Sequence, residues 1–290
     1  MTRIAYLGPE GTVTHESAGY MFSGEGYELI PYKLISEVVN ATAEGHTDLS
    51  VIPIENTIDG SVNAHIDYWL HEVDLPIQAE WTYPSIQNLI GLPSSDPEQP
   101  WSDIRNIISI PVAIAQCQKF LKTRLPDVEY THVSSTAEGV RIVQERGDRS
   151  YAAIGTVLAA KKYGLDLLAT NITDHQNNYT RFIAVGHAVP ELPQTDVRKT
   201  TILVTLPEDY PGALHQVLSA FAWRRINLTK IESRPTKKKL GSYYFYIDIE
   251  GSLNSVLLPA AIEEIEAIGC QVRILGSYPC YTYEIEHSEV

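Results

Sequence analysis

Between residues 3 and 186, short apolar stretches alternate with segments whose apolar side chains recur at helical spacing. That order restricts the chain to layered α/β folds with mainly parallel strands. Residues 3–8 (RIAYLG) read as a strand closed by Gly8-Pro9, and a helix begins at Thr14 and reaches Met21. A second helical pattern starts at Ser36 and stops near Gly45. Residues 49–54 (LSVIPI) read as a buried strand, and residues 61–71 place Val62, Ile66 and Trp69 on one helical face. A second alternating unit follows. Residues 85–92 are a predicted strand, 93–101 a polar, Pro-containing loop, 106–110 the lead into a helix over 112–123, and Glu129 to Val133 a strand. Ser135-Thr136-Ala137-Glu138 has the form of a capping box at a helix start. Residues 151–155 then read as a strand, 156–163 as a helix ended by Gly164, and 181–186 as a last strand.

The pattern changes at 188–199 (AVPELPQTDVRK), where two prolines among charged and polar residues read as a linker. Beyond it a compact order is predicted: strand 200–206, a helix opened by Pro211 with Leu214, Val217, Leu218 and Phe221 on one face, strands 226–232 and 242–249, helix 254–268 ended by Gly269, and strand 270–276. This is a βαββαβ, ferredoxin-like arrangement. The lysines Lys237, Lys238 and Lys239 fall in its hairpin turn as a solvated tip. At about 100–200 residues per domain, a chain of 290 residues holds two or three domains, in keeping with this division.

Charge narrows the function. A net charge of −14 disfavours nucleic acid as a partner, because phosphate neutralisation needs a basic face. It also repels small anions at long range, so an anion site here must be locally positive. The apolar fraction of 44% excludes intrinsic disorder. Cys117, Cys270 and Cys280 are odd in number and widely spaced, which points to a reducing, cytoplasmic compartment. The first residues enter an apolar strand without a signal-peptide pattern, and no apolar run approaches the ~20 residues that span a bilayer.

Three polar segments stand out. Gly8-Pro9-Glu10-Gly11-Thr12 lies between a strand and a helix, where backbone N–H groups can approach an anion; the same residues also make an ordinary strand-to-helix turn. Glu55-Asn56-Thr57, with Asp59, Gly60 and Ser61, follows the C-terminal end of a buried strand, where α/β sheets bind ligands and where helices are capped. Asn178-Tyr179-Thr180-Arg181-Phe182 places a hydroxyl beside a guanidinium, a pair able to hold a carboxylate and pass a proton, or to serve as ordinary strand-edge residues. Nine histidines are scattered, and His65 and His71 fit no zinc-binding spacing.

Taken in order, these segments resemble the monofunctional bacterial prephenate dehydratases over nearly the full chain. The C-terminal Gly212-Ala213-Leu214 and Glu232-Ser233-Arg234-Pro235 resemble the phenylalanine-binding motif of an ACT regulatory domain. The resemblance implies an α/β fold with a two-lobed, type II periplasmic-binding-protein-like catalytic core plus a ferredoxin-like ACT domain. It places the catalytic domain at 1–187, with lobe one at 1–78 and 172–187 and lobe two at 79–171, then a linker at 188–199 and the ACT domain at 200–280. It implies loss of water and carbon dioxide from prephenate to give phenylpyruvate, with neither metal nor organic cofactor. Thr180 would be the proton donor, and Arg181 would hold a carboxylate or orient Thr180. Gly8, Pro9, Gly11, Thr12, Glu55, Asn56, Thr57, Asn178 and Phe182 would line the substrate site, with N–H groups around Gly11 on the pyruvyl carboxylate. L-Phenylalanine would bind at Gly212, Ala213, Leu214, Glu232, Ser233, Arg234 and Pro235 as an allosteric effector, in a homodimer or homotetramer.

One segment departs from the family pattern. Where the family often has Ser-His-Pro-Gln-Ala, this chain has Ser109-Ile110-Pro111-Val112-Ala113, leading to Gln116-Cys117. The departure keeps a non-aromatising prephenate decarboxylase or an arogenate dehydratase as alternatives. A non-catalytic amino-acid sensor is the alternative of another class, since both modules are binding folds.

Overall fold

A computed structural model describes residues 1–94, 96, 98–208, 210–237 and 243–283. The chain divides into two units, one of residues 1–65 and 82–182, the other of residues 66–81 and 183–290.

The first unit opens with β1 (Thr2–Leu7), α1 (Val13–Met21), β2 (Tyr27–Tyr32), α2 (Ile35–Ala43), β3 (Leu49–Asn56) and the short β4 (Gly60–Ser61). β1 lies between β2 and β3 and is parallel to both, and β4 folds back on the end of β3 with Asn56 opposite Gly60. Parallel neighbours deliver their C-terminal loops to the same end, so the turn after β1 and the loop after β3 leave the sheet together. The chain then passes through α3 (Asn63–Glu72) and β5 (Ile77–Pro84), most of which belong to the second unit.

After Pro84 the first unit continues with β6 (Asn88–Gly91), β7 (Asn106–Ser109), α4 (Pro111–Ala115), α5 (Gln118–Arg124), β8 (Glu129–His132), α6 (Thr136–Arg146), β9 (Tyr151–Gly155), α7 (Val157–Tyr163) and β10 (Asp166–Ala169). Their five strands form a mixed sheet in the order β10-β6-β9-β7-β8. Its central strands are apolar on both faces. Ile90, Ile108 and Ala153 pack with Val140, Val143 and Ala159, while Leu89, Ile107 and Ile154 pack with Ala113, Ile114 and Leu121. Strand alternation sends successive residues to opposite helical layers, which explains why these strands read as continuous apolar runs. The unit is thus a two-lobed α/β core, rejoined by β11 (Tyr179–Val185), whose first residues lie beside β3.

The second unit contains the predicted βαββαβ order: β12 (Arg198–Thr205), α8 (Ala213–Ala222), β13 (Leu228–Pro235), β14 (Tyr243–Glu250), α9 (Leu257–Ala267) and β15 (Gln271–Thr282). The sheet runs β13-β14-β12-β15, antiparallel throughout, with Ile202, Val204, Ile247 and Ile249 under Val217, Phe221, Ala261 and Ile265 of the helices. β15 also borders β5, and the two approach so closely that a Cβ on Gly276 would lie 2.5 Å from the Ile77 carbonyl oxygen. Only glycine fits that contact.

Several expectations change in detail. The helix expected over 112–123 is two helices. At the break the Asp174 N–H donates to the Gln116 carbonyl at 2.7 Å, and the Asp174 carboxylate accepts from the Lys119 N–H at 2.9 Å. A distant residue therefore supplies the partners that the interrupted helix lacks. The strand expected over 85–92 starts only at Asn88, and the one expected over 226–232 extends to Pro235. Ser135 caps α6 through the Glu138 N–H, but the Glu138 carboxylate turns to Arg141 rather than completing the box. Strands β2, β4, β5 and β10 are additions to the predicted order, and the segment expected only to lead into a helix at 106–110 is the strand β7. Lys238 and Lys239 of the expected hairpin tip lie outside the described residues. Of the two departures from the family pattern, Ile110 packs against the core of the second lobe and Val112 is exposed.

Candidate active site

The site is built where β3 ends, β11 begins and the chain enters the second lobe at Ser85. Thr57 joins the first two. Its N–H donates to the Tyr179 carbonyl at 2.9 Å, its hydroxyl donates to the Asn177 carbonyl at 2.7 Å and accepts from the Tyr179 N–H at 2.9 Å. On the same side Asn56 reaches across. Its Nδ2 donates to Asn178 Oδ1 at 2.8 Å, to the Tyr179 carbonyl at 3.2 Å and to Thr180 Oγ1 at 3.0 Å. The Asn56 Oδ1 accepts from the N–H groups of Ile58 and Asp59 at 2.9 and 3.1 Å. Thr180 is buried, and its Oγ1 lies 2.7 Å from the hydroxyl of Ser85.

Asn178 extends this network to the second lobe. Its Nδ2 donates to the Ser85 carbonyl at 3.2 Å and to Gln116 Oε1 at 3.0 Å, while Gln116 Nε2 donates to Asp59 Oδ2 at 2.8 Å. The broken helix thus presents Gln116 to both crossings of the chain. Ser85 and Gln116 are not nominated by the sequence reading. The available signals were a hydroxyl directly after Pro84 and the Gln-Cys pair of the family comparison. Cys117 itself is buried, and burial first, then the Asp174 charge, pushes its thiol up to about 12, so it is a packing residue rather than a nucleophile.

Strand alternation separates the expected Thr180-Arg181 pair. Thr180 meets Asn56 on one face, while Arg181 Nε lies 3.0 Å from Glu55 Oε2 on the other. The carboxylate beside Arg181 is therefore the chain's own. Phe182 returns to the face of Thr180 and is fully buried.

The glycine turn is held by both lobes. Gly8-Pro9 is a cis peptide bond with Pro9 exposed, and the Gly8 N–H donates to the Tyr32 carbonyl at 2.8 Å. Gly11 has φ +90° and lies where a Cβ would come within 3.1 Å of Ala159. A side chain there is excluded by conformation and by space. Its carbonyl accepts from the Thr156 hydroxyl at 2.7 Å, and its N–H donates to His15 Nδ1 at 3.0 Å. Thr12 caps α1 by accepting from the His15 N–H. The Gly11 donor expected to face an anion is thus occupied by a histidine whose proton must sit on Nε2. Burial lowers the His15 pKa, and the ring stacks on Tyr6 at 4.9 Å. Glu10 pairs with Lys162, and Glu16 accepts from the Leu158 N–H at 2.8 Å, its pKa raised chiefly by burial. Beside the turn is a cavity of about 430 Å³ walled by His15, Glu16, Tyr20, Tyr83, Leu158 and Lys161, whose ammonium supplies local positive charge.

In the second unit Gly212, at φ +95°, precedes α8, with Ala213 buried behind it and Leu214 half-buried. β13 divides the other motif between its faces. Ser233 and Pro235 are exposed, whereas Arg234 is buried, pairing with Asp67 at 3.2 Å and with Glu232 at 3.1 Å.

Residues 4–189 match the family model for prephenate dehydratase, and residues 200–269 match that for the ACT domain. The prephenate dehydratase of Bacillus subtilis (strain 168) is 41% identical over 285 residues, covering 96% of this chain and 99% of the relative. The structure of prephenate dehydratase from Arthrobacter aurescens in complex with L-Phe has a TM-score of 0.84 and 34% identity, covering 96% of this chain and 90% of that one. The quorum-quenching acylase GqqA has a TM-score of 0.81 and 26% identity, covering 96% of this chain and 98% of that one.

Proposed function

Since the chain belongs to the prephenate dehydratase family and carries an ACT domain, we infer that it converts prephenate to phenylpyruvate in L-phenylalanine biosynthesis and answers to phenylalanine. The observation that carries the catalytic reading is the buried Thr180 hydroxyl, held by neutral groups where the two lobes join. Departure of water and carbon dioxide makes the substrate ring aromatic, so the step is strongly downhill and asks for one well-placed proton. Thr180 donates it to the leaving hydroxyl. Asn56, Thr57 and Asn178 shape the site around that donor. Arg181 acts through Glu55, holding β3 and β11 together behind it. Gly8, Pro9, Gly11, Thr12 and Phe182 complete the residues assigned to the substrate site.

Phenylalanine binds beside Gly212, Ala213, Leu214 and the exposed Ser233 and Pro235, with Glu232 and Arg234 setting the position of β13 from its other face. That pocket is completed by a second chain, in a homodimer or homotetramer. The catalytic domain is taken as 1–187, the ACT domain as 200–280, and the compartment as the cytoplasm. Among the described residues no helix is long and apolar enough to cross a membrane.

Incubation with prephenate, followed by phenylpyruvate absorbance in alkali, tests the activity. Thr180→Ala is expected to lower kcat by about 10²–10⁴, the usual cost of losing a general acid, with Thr180→Ser retaining much more. Near-normal turnover of Thr180→Ala would remove the assignment. By isothermal titration, Gly212→Val is expected to lose phenylalanine binding, because a branched side chain at φ +95° distorts the start of α8. Unchanged binding would move the effector elsewhere.

A further inference from the structure

We propose that Ser85 is a positioning residue which, together with Asn56, makes Thr180 a one-way proton donor. The inference rests on the reading of Thr180 as the acid.

The direction of each bond around Thr180 follows from partners outside it. Asn56 Oδ1 accepts from two backbone N–H groups, at Ile58 and Asp59, so the end facing Thr180 is the amide nitrogen. Asn178 is oriented likewise, since its nitrogen donates to the Ser85 carbonyl and to Gln116 Oε1 while its oxygen accepts from Asn56. Neither amide can turn over without breaking these bonds. Asn56 therefore presents an N–H donor to Thr180 Oγ1 and cannot take its proton. Ser85 Oγ lies 2.7 Å from the same oxygen, and either of the two hydroxyls can donate in that contact. When an acceptor enters the cleft, the Thr180 O–H turns to it and the Ser85 O–H turns to Thr180. Both lone pairs are then filled by donors, and the one proton left on the oxygen points at substrate.

This arrangement removes the usual objection to threonine as an acid. Its conjugate base is an alkoxide, and here two preorganised donors receive it away from water. In the step, the Thr180 proton passes to the leaving hydroxyl oxygen and the ring C–O bond breaks, releasing water. The electron pair of the carboxylate C–C bond enters the ring as carbon dioxide departs. A solvent proton then restores the Thr180 hydroxyl, so one proton is consumed per turnover.

The test compares Ser85→Ala, Ser85→Thr and Thr180→Ala, with the double variant Ser85→Ala/Thr180→Ala. Ser85→Ala is expected to lower kcat about 10²-fold, the scale for losing one such donor, with KM nearly unchanged. Ser85→Thr should recover most of the loss, and Ser85→Ala should cost nothing further when Thr180 is already alanine. Parental kcat in Ser85→Ala, the same loss in the Thr180→Ala background, or no recovery in Ser85→Thr would each overturn the proposal. Should Ser85→Ala fail to fold, Ser85→Cys keeps the volume but is a poor donor, and the same kcat loss is expected from it. If Thr180→Ala stays active, the underlying reading fails. If Thr180→Ala is inactive while Ser85→Ala is normal, only the role of Ser85 fails.

Discussion

Two buried hydroxyl networks in this protein use similar groups to opposite ends. At Thr180 the partners are a neutral amide that donates to the threonine oxygen and a second hydroxyl, with no carboxylate to take the threonine proton. In the second unit, Thr201 donates to Asp248 at 2.7 Å and meets the Tyr278 hydroxyl, which also lies 3.4 Å from Glu80. Glu80 in turn pairs with Lys199 at 2.5 Å. There the hydroxyl protons run toward carboxylates and none is left over. Burial, with Asp248 and Glu80 beside it, holds the Tyr278 phenol well above its ordinary pKa. The first arrangement leaves a proton to give. The second holds β5 against the sheet of the βαββαβ module and gives nothing away.

The contrast can be broken by changing one member of each network. The largest effect on stability is expected from Glu80→Gln, which keeps the shape but leaves Lys199 without its buried counter-charge. A loss of about 3 kcal/mol is expected, at the low end for a broken buried pair because Lys199 keeps some contact with solvent. Chemical denaturation checks this. Ser85→Ala should behave in the reverse way, losing turnover with a much smaller change in unfolding midpoint. If Glu80→Gln lost turnover but not stability, the distinction drawn between the networks would fall.

A smaller effect concerns acid. His15, His65 and His71 all have pKa values lowered by burial. The unfolded chain therefore takes up protons first as pH drops through about 6.5, the ordinary histidine value, and stability falls from there toward the lower folded values. Above that value the contribution is fully present. A protonated His15 also loses the acceptor that holds the Gly11 N–H. Thermal unfolding between pH 8 and pH 5 should show the decline, and His15→Asn should shallow it. A profile that stays flat to pH 5 would contradict the buried-neutral assignment.

The sequence carried the layers well and the site unevenly. Parallel strands such as 107–108 and 152–154 are apolar on both faces, and such runs are readable from one chain. β5 escaped notice because Glu80 interrupts its apolar pattern, and only tertiary pairing with Lys199 shows that carboxylate to be interior. Thr180 and Asn56 were legible through the family resemblance. Ser85 and Gln116 were not, because each stands where a regular element stops early. At Gln116 the cause is Asp174, far along the chain. Arg181 was expected to hold a carboxylate or orient Thr180, and Arg234 to contact phenylalanine. Each instead meets a carboxylate of the chain, Glu55 and Asp67, on one face of a strand. Period-two alternation decides that, and for Arg234 it could be applied only once β13 was known to extend through Pro235.

The contact of Gly276 with Ile77 joins a strand from the segment matched by the catalytic family to one that lies beyond the ACT match. A truncated protein ending at the linker would strip β15 from β5 and leave a row of unsatisfied backbone groups, an adhesive rim. Cutting this enzyme at its apparent domain border would therefore yield a sticky fragment in place of an unregulated catalyst.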